Sequence, residues 1–234
     1  MNQKPVFLFA GGRRDRKQGP NPDIQTVYRT FGIKGPTVAY VGVASGDDRN
    51  FFGWIASELT ASGADKVVHA VTVPKNADLN KARKILEDAD IVYMSGGDVD
   101  AGMAILQEKH LVDFFTGLYR QGKPFFGMSA GALMLCKKWV CWDDEDDDNT
   151  AKLFDCLDIA PVICDAHDED SDWEELKMAL KLEKEGVKGY GLGAGSSIKV
   201  TPTGEVSLVG GNVYQYVRRG NEVVTLKDAL PPCE

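Results

Sequence analysis

The stretch Pro124-Phe125-Phe126-Gly127-Met128-Ser129-Ala130-Gly131-Ala132 sets a hydroxyl between two glycines directly after an apolar run. Its centre, GMSAG at 127–131, fits the pattern G-x-S-x-G. Phe125–Met128 reads as a buried strand, and Ala130–Trp139 reads as a helix. Strand, sharp turn and helix in that order are the local geometry of an α/β protein, with Ser129 at the turn. The glycines let the backbone reverse without a Cβ clash. If Ser129 is a nucleophile, the chain must also supply a base, an orienting acid and oxyanion donors. If it only caps the helix, which serine does well, those parts should be missing.

Outward from this stretch, apolar runs recur at α/β spacing. Val6–Phe9 ends at Gly11-Gly12, Thr37–Val43 at Ala44-Ser45-Gly46, Val67–Val73 at Pro74, and Ile91–Met94 at Ser95-Gly96-Gly97. They are continuous rather than alternating, as expected of strands covered on both faces in a parallel sheet. Helical patterns fall at Phe51–Ala61, Leu79–Leu86, Met103–Tyr119 and Trp173–Leu182. After Gly189 short strands follow: Tyr190–Leu192, Ser197–Val200, Val206–Val209, Val213–Val217 and Val223–Leu226, with a hairpin signal at Gly220-Asn221. The expected fold is α/β: a three-layer sandwich around a mostly parallel central sheet, with a β-rich C-terminal edge. No linker or repeat divides residues 1–234, so a single domain is expected.

The chain has 234 residues, enough for a sizeable core, and no run of eighteen apolar residues that would suggest a membrane span. Its first residues lack the basic leader and cleavage site of a secretory signal. The five cysteines, Cys136, Cys141, Cys156, Cys164 and Cys233, form no Cys-x-x-Cys pair. Reduced thiols in a cytoplasmic protein are therefore expected, without a metal site. Net charge is −8, from 27 basic and 35 acidic residues, which argues against nucleic acid as a partner. Six acids fill 143–148 and seven more lie between Asp165 and Glu175, on either side of His167. Neither segment follows a calcium-loop pattern, and a solvated acidic surface is the simpler reading.

Of three histidines, His69 sits inside an apolar run and His110 on a helix beside Lys109. His167 follows the apolar run to Ile163-Cys164-Asp165-Ala166 and so falls at a strand end, where ligands gather in a parallel sheet. It is the candidate base; a solvated loop histidine is the alternative. Candidate orienting acids are Asp143, Asp144, Asp165 and Asp168. One carboxylate orients an imidazole usefully, whereas a crowd stabilises the imidazolium, and a base must be neutral before it acts. Ser95-Gly96-Gly97-Asp98 ends another strand, so it offers either a second oxyanion donor or a tight turn with Asp98 as helix cap. Arg13, Arg14 and Arg16 read as a solvated basic loop or as a clamp for a substrate carboxylate.

GMSAGA after one strand, SGGD after an earlier one, and Asp165-Ala166-His167 with the histidine 38 positions beyond the serine together resemble the serine peptidase family of dipeptidase E (aspartyl dipeptidase) and cyanophycinase. The resemblance runs from about Val6 to Val209. It implies a fold like class I glutamine amidotransferases, of flavodoxin-like type. By position, it implies Ser129 as nucleophile, His167 as base, Gly97 and Ala130 as oxyanion N–H donors beside Gly96 and Asp98, and Asp144 as the charge-relay acid. The expected activity is a serine exopeptidase acting on a small peptide, with no cofactor and no membrane partner; a homodimer is left open. Three departures stand out. Asp98 replaces the family's usual asparagine, Gly191-Leu192-Gly193-Ala194-Gly195 lacks the acid found there in cyanophycinase-like sequences, and Asp168–Asp172 follows the histidine. An aspartyl substrate would be repelled; a basic or neutral peptide fits better.

Two other readings compete. An α/β-hydrolase esterase shares G-x-S-x-G but expects its histidine near the C-terminus, and none follows His167. A glutaminase on this fold would carry cysteine at 129. A non-catalytic member that binds a peptide or small ligand would retain the fold with a degenerate relay.

Overall fold

The computed structural model describes residues 3–12, 19–144 and 146–233. In chain order the elements are β1 (Val6–Phe9), α1 (Pro22–Phe31), β2 (Thr37–Val41), α2 (Arg49–Ala61), β3 (Lys66–His69), α3 (Leu79–Asp88), β4 (Ile91–Met94), α4 (Val99–Glu108), α5 (Val112–Arg120), β5 (Phe125–Met128) and α6 (Ala130–Leu135). Then follow β6 (Lys138–Trp142), β7 (Ala151–Asp155), β8 (Ile163–Ala166), α7 (Glu174–Leu182), β9 (Lys188–Leu192), β10 (Ser197–Val200), β11 (Val206–Gly210), β12 (Val213–Arg219) and β13 (Glu222–Leu226).

The main sheet has the order β11-β10-β1-β5-β4-β2-β3. Strands β1, β5, β4, β2 and β3 run parallel, and β10 joins β1 antiparallel. Side chains alternate across a strand, and both faces here are apolar. Phe7, Tyr40, Tyr93 and Phe126 face one way, under Ile24 and Val27 of α1 and Ile55 and Leu59 of α2. Val6, Leu8, Ala39, Val92 and Phe125 face the other way, under Leu86 of α3, Met103 and Leu106 of α4 and Phe115 of α5. Covering on both faces is what makes the strand sequences continuously apolar. The central sheet with helices on either side agrees with the α/β expectation.

Three local expectations change. The pattern Met103–Tyr119 is two helices, α4 and α5, broken where His110 takes the left-handed φ of 53°. The helix expected to reach Trp139 stops at Leu135, and Lys138–Trp142 pairs with β7 as an antiparallel hairpin that buries Trp139 and Val140. The C-terminal strands are not one edge. Strands β10 and β11 extend the main sheet, while β12 and β13 join β9 and β8 in a second sheet of order β13-β12-β9-β8.

Helix α6 lies where the two sheets meet, and all six of its residues are buried. Between its end and β8, the Sγ atoms of Cys136 and Cys164 stand 3.0 Å apart as free thiols. No helix among the described residues is long and apolar enough to cross a membrane.

Candidate active site

Ser129 ends β5 at the middle of the main sheet, flanked by the loops that leave β1 and β4. Its backbone has φ 52° and ψ −128°. That region is nearly reserved for glycine, and holding another residue there costs on the order of 1–3 kcal/mol. Hydrogen bonds fix the turn: the Ser129 N–H donates to the Phe9 carbonyl at 2.8 Å, and the Ser129 carbonyl accepts from Ala132 at 2.8 Å and Leu133 at 3.2 Å. The glycines beside it are needed for close approach. A Cβ at Gly131 would lie 2.2 Å from the Met94 carbonyl oxygen, and one at Gly127 would lie 2.5 Å from that of Gly131. GMSAG is thus a turn pressed between β4 and its own helix.

His167 arrives from the second sheet, one residue past β8. Its N–H donates to the Leu192 carbonyl at 2.8 Å, and its φ is 52°. Its Nε2 stands 2.8 Å from Ser129 Oγ, a hydrogen-bond distance. The two residues are brought together as the sequence expects, but by strands of different sheets rather than neighbours in one. Of the other histidines, His69 Nε2 meets Asp47 Oδ1 at 3.0 Å. Asp47 also accepts the N–H groups of Thr72 and Val73. Burial pushes its carboxyl up, but these bonds outweigh burial and hold it below the usual range. That pair is structural, and His110 is exposed.

Gly96, Gly97, Asp98 and Ala130 gather round the serine. A Cβ at Gly96 would lie 3.1 Å from Ser129 Cβ. Gly97 has φ 143°, and a Cβ there would lie 2.0 Å from the Ala44 carbonyl oxygen, so glycine is required. No acceptor among the described residues takes the N–H of Gly97 or of Ala130. Asp98 caps α4, accepting the Ala101 N–H at 2.8 Å, and so fills the turn reading while also facing the serine. A cavity of about 330 Å³ opens here, lined by Gly97, Ser129, Ala130 and His167. Trp139, Trp142, Leu133 and Val99 give it apolar walls, and Asp98, Asp100, Asp165 and Glu175 give it carboxyls.

The acids divide in a way the sequence does not reveal. Asp144 lies in the exposed turn of the β6–β7 hairpin, where its carboxylate accepts the Asp146 N–H at 3.1 Å. Among the described residues no hydrogen bond joins it to His167. No carboxylate among the described residues is hydrogen-bonded to His167. Glu169 reaches instead into the acid-free stretch, its Oε1 accepting the Ala194 N–H at 2.6 Å. Ala194 and His167 are close: the Cβ of each lies 3.6 Å from the point where a Cβ of Gly12 would stand. Asp165 is the buried acid, only 3% exposed. Its Oδ1 accepts the Ala166 N–H at 2.6 Å, while its Oδ2 has no hydrogen-bond partner. Burial pushes its carboxyl up to about 8, with Asp168 and Glu175 adding to the effect. The one sequence clue to Asp165 is a charged residue inside an apolar strand. Arg13, Arg14 and Arg16 lie outside the described residues.

Residues 6–207 match peptidase family S51. "Peptidase E" of Haemophilus influenzae is 33% identical over 101 residues, 42% of this chain and 43% of that protein, so the match spans less than half of that relative. Among solved structures, a peptidase from an acI-B1 Actinobacterium superposes with TM-score 0.72 at 16% identity, covering 99% of this chain and 96% of the other. A putative peptidase E protein from Listeria monocytogenes EGD-e gives TM-score 0.61 at 17% identity, covering 97% and 100%. At such identities the structural likeness speaks for the fold.

Proposed function

Because the chain belongs to peptidase family S51, we propose that it is a serine peptidase that removes residues from the end of a short peptide. The observation that carries this reading is the 2.8 Å approach of Ser129 Oγ to His167 Nε2 at a strained strand–helix turn. Ser129 Oγ attacks the amide carbonyl carbon while His167 Nε2 takes its proton. The N–H groups of Gly97 and Ala130 hold the developing oxyanion; losing one such donor typically costs roughly 10²–10³ in turnover. His167 returns the proton to the leaving amine. Water then attacks the acyl-enzyme, with His167 again as base, and frees Ser129. The name of the Haemophilus relative supports peptide substrates. The cavity, about 330 Å³, is at the small end of ligand pockets, which favours one or two residues over an extended chain and hence an exopeptidase.

A non-catalytic, peptide-binding role is favoured by one observation, that no carboxylate among the described residues is hydrogen-bonded to His167. Labelling with a small fluorophosphonate separates the two, read by intact mass on wild type, Ser129→Ala and His167→Ala. A single adduct on wild type, lost in both variants, supports the peptidase. Unlabelled wild type at neutral and mildly alkaline pH leaves GMSAGA as a structural turn, since the Ser129 side chain makes no capping hydrogen bond, and the binding role takes its place.

A further inference from the structure

The cavity beside Ser129 has walls of two kinds. Trp139, Trp142 and Leu133 offer aromatic and aliphatic surface, and Asp98, Asp100 and Asp165 offer carboxyls. Asp165 is the decisive residue. A buried carboxyl oxygen without a partner is expensive, since buried polar groups are otherwise nearly always satisfied. Asp165 is 97% buried at the cavity wall, yet its Oδ2 has no partner. The start of α7 relieves it only in part: the Leu176 N–H draws its carboxyl towards the ionised form, while Glu175 and Asp168 oppose this.

We propose that this cavity is a specificity pocket for a lysine or arginine side chain on the residue that contributes the scissile carbonyl, with Asp165 Oδ2 accepting from the ammonium or guanidinium. The inference rests on the peptidase reading of Ser129. Long basic side chains lay an aliphatic stem along apolar surface and present the charge at the tip, which is the pairing of surfaces found here. A cation beside tryptophan faces gains further. An α-ammonium carries no stem and leaves the apolar wall unused. A metal ion fits less well, because no three His, Cys, Asp or Glu side chains among the described residues converge closely enough to hold one. Among the described lining residues, an acidic side chain would find mainly other carboxyls. In the empty pocket, burial keeps Asp165 protonated at neutral pH; an arriving cation favours its ionised form.

The test compares lysine and norleucine p-nitroanilides, which differ only in the terminal ammonium and share the free α-amine. Wild type should prefer lysine in kcat/KM by roughly tenfold or more, the scale of a charge-assisted bond. Asp165→Asn should bring that ratio close to one. Asp100→Asn, at the exposed rim and tolerable to the fold, should lower it. Calorimetry adds a readout without turnover: Ser129→Ala should bind lysinamide more tightly than norleucinamide, and the additional Asp165→Asn change should erase the difference. Equal cleavage of the two anilides by wild type overturns the pocket and leaves the peptidase standing. So does a ratio unchanged in both acid variants. If neither anilide is cleaved but lysinamide still binds preferentially to Ser129→Ala, the pocket stands and the peptidase reading falls. Equal binding of the two amides, with no cleavage, removes both.

Discussion

Ser129 and His167 meet at 2.8 Å although their strands belong to different sheets. The pair therefore depends on how the second sheet docks as much as on the turn at β5. Replacing His167 with glutamine retains a polar group of similar reach but no base. We expect a loss of roughly 10²–10⁴-fold in kcat, the usual yield of general acid–base catalysis. A His167→Gln enzyme with wild-type turnover would remove the imidazole from the mechanism.

Glu169 accepts the Ala194 N–H at 2.6 Å, and through the loop of Ala194 it is expected to act as a positioning residue for His167, whereas Asp144 is expected to act on its own turn. Glu169→Gln should lower kcat and displace the pH–rate profile, while Asp144→Asn should change neither, since its carboxylate serves only its own turn. Opposite behaviour of the two variants in the pH profile would falsify this assignment.

Gly131→Ala is expected to be destabilising by on the order of 1–3 kcal/mol, the cost of overpacking. Its Cβ would stand 2.2 Å from backbone, which cannot step aside as a side chain would. Urea unfolding measures this directly, and a midpoint equal to wild type would mean that α6 can shift freely against β4.

Ser129→Gly should move the other way. At φ 52° and ψ −128° the serine is strained and glycine is not, so the variant should gain on the order of 1 kcal/mol while losing all labelling by fluorophosphonate. No gain in thermal midpoint would mean that the strain is relieved within the turn itself.

Asp165 gives stability a pH dependence of known sign. Its folded value of about 8 lies above the ordinary aspartate value of about 3.9, so the folded state holds the proton longer than the unfolded chain. Its contribution is fully present below the unfolded value and is lost as pH rises towards 8. The thermal midpoint of wild type should fall relative to Asp165→Asn across that window. Parallel curves for the two proteins would show that the carboxyl is not buried in solution as it is here.

The serine, the histidine and the glycine loops were legible in the sequence because each closes an apolar strand, and strand ends are where a parallel sheet collects its chemistry. Helix α1 was legible too, though missed: Asn21 accepts the Asp23 N–H, Pro22 opens the helix and Gly32 closes it at φ 67°, all written as N-P-D and a later G. The role of Glu169 was not legible. It is one of several acids in a row, and only the docking of β9 against β8 sets Ala194 beside it. The division of the C-terminal strands was hidden for the same reason, since short alternating strands do not say which sheet they will join.

The path of the chain through the two sheets has a bearing on timing. Strand β9 enters the small sheet, β10 and β11 return to the large one, and β12 goes back to flank β9. Strand β8, which ends one residue before His167, is held in its sheet by β9, and β9 in turn by β12, so the approach of His167 to Ser129 waits on strands that the chain supplies only after both residues.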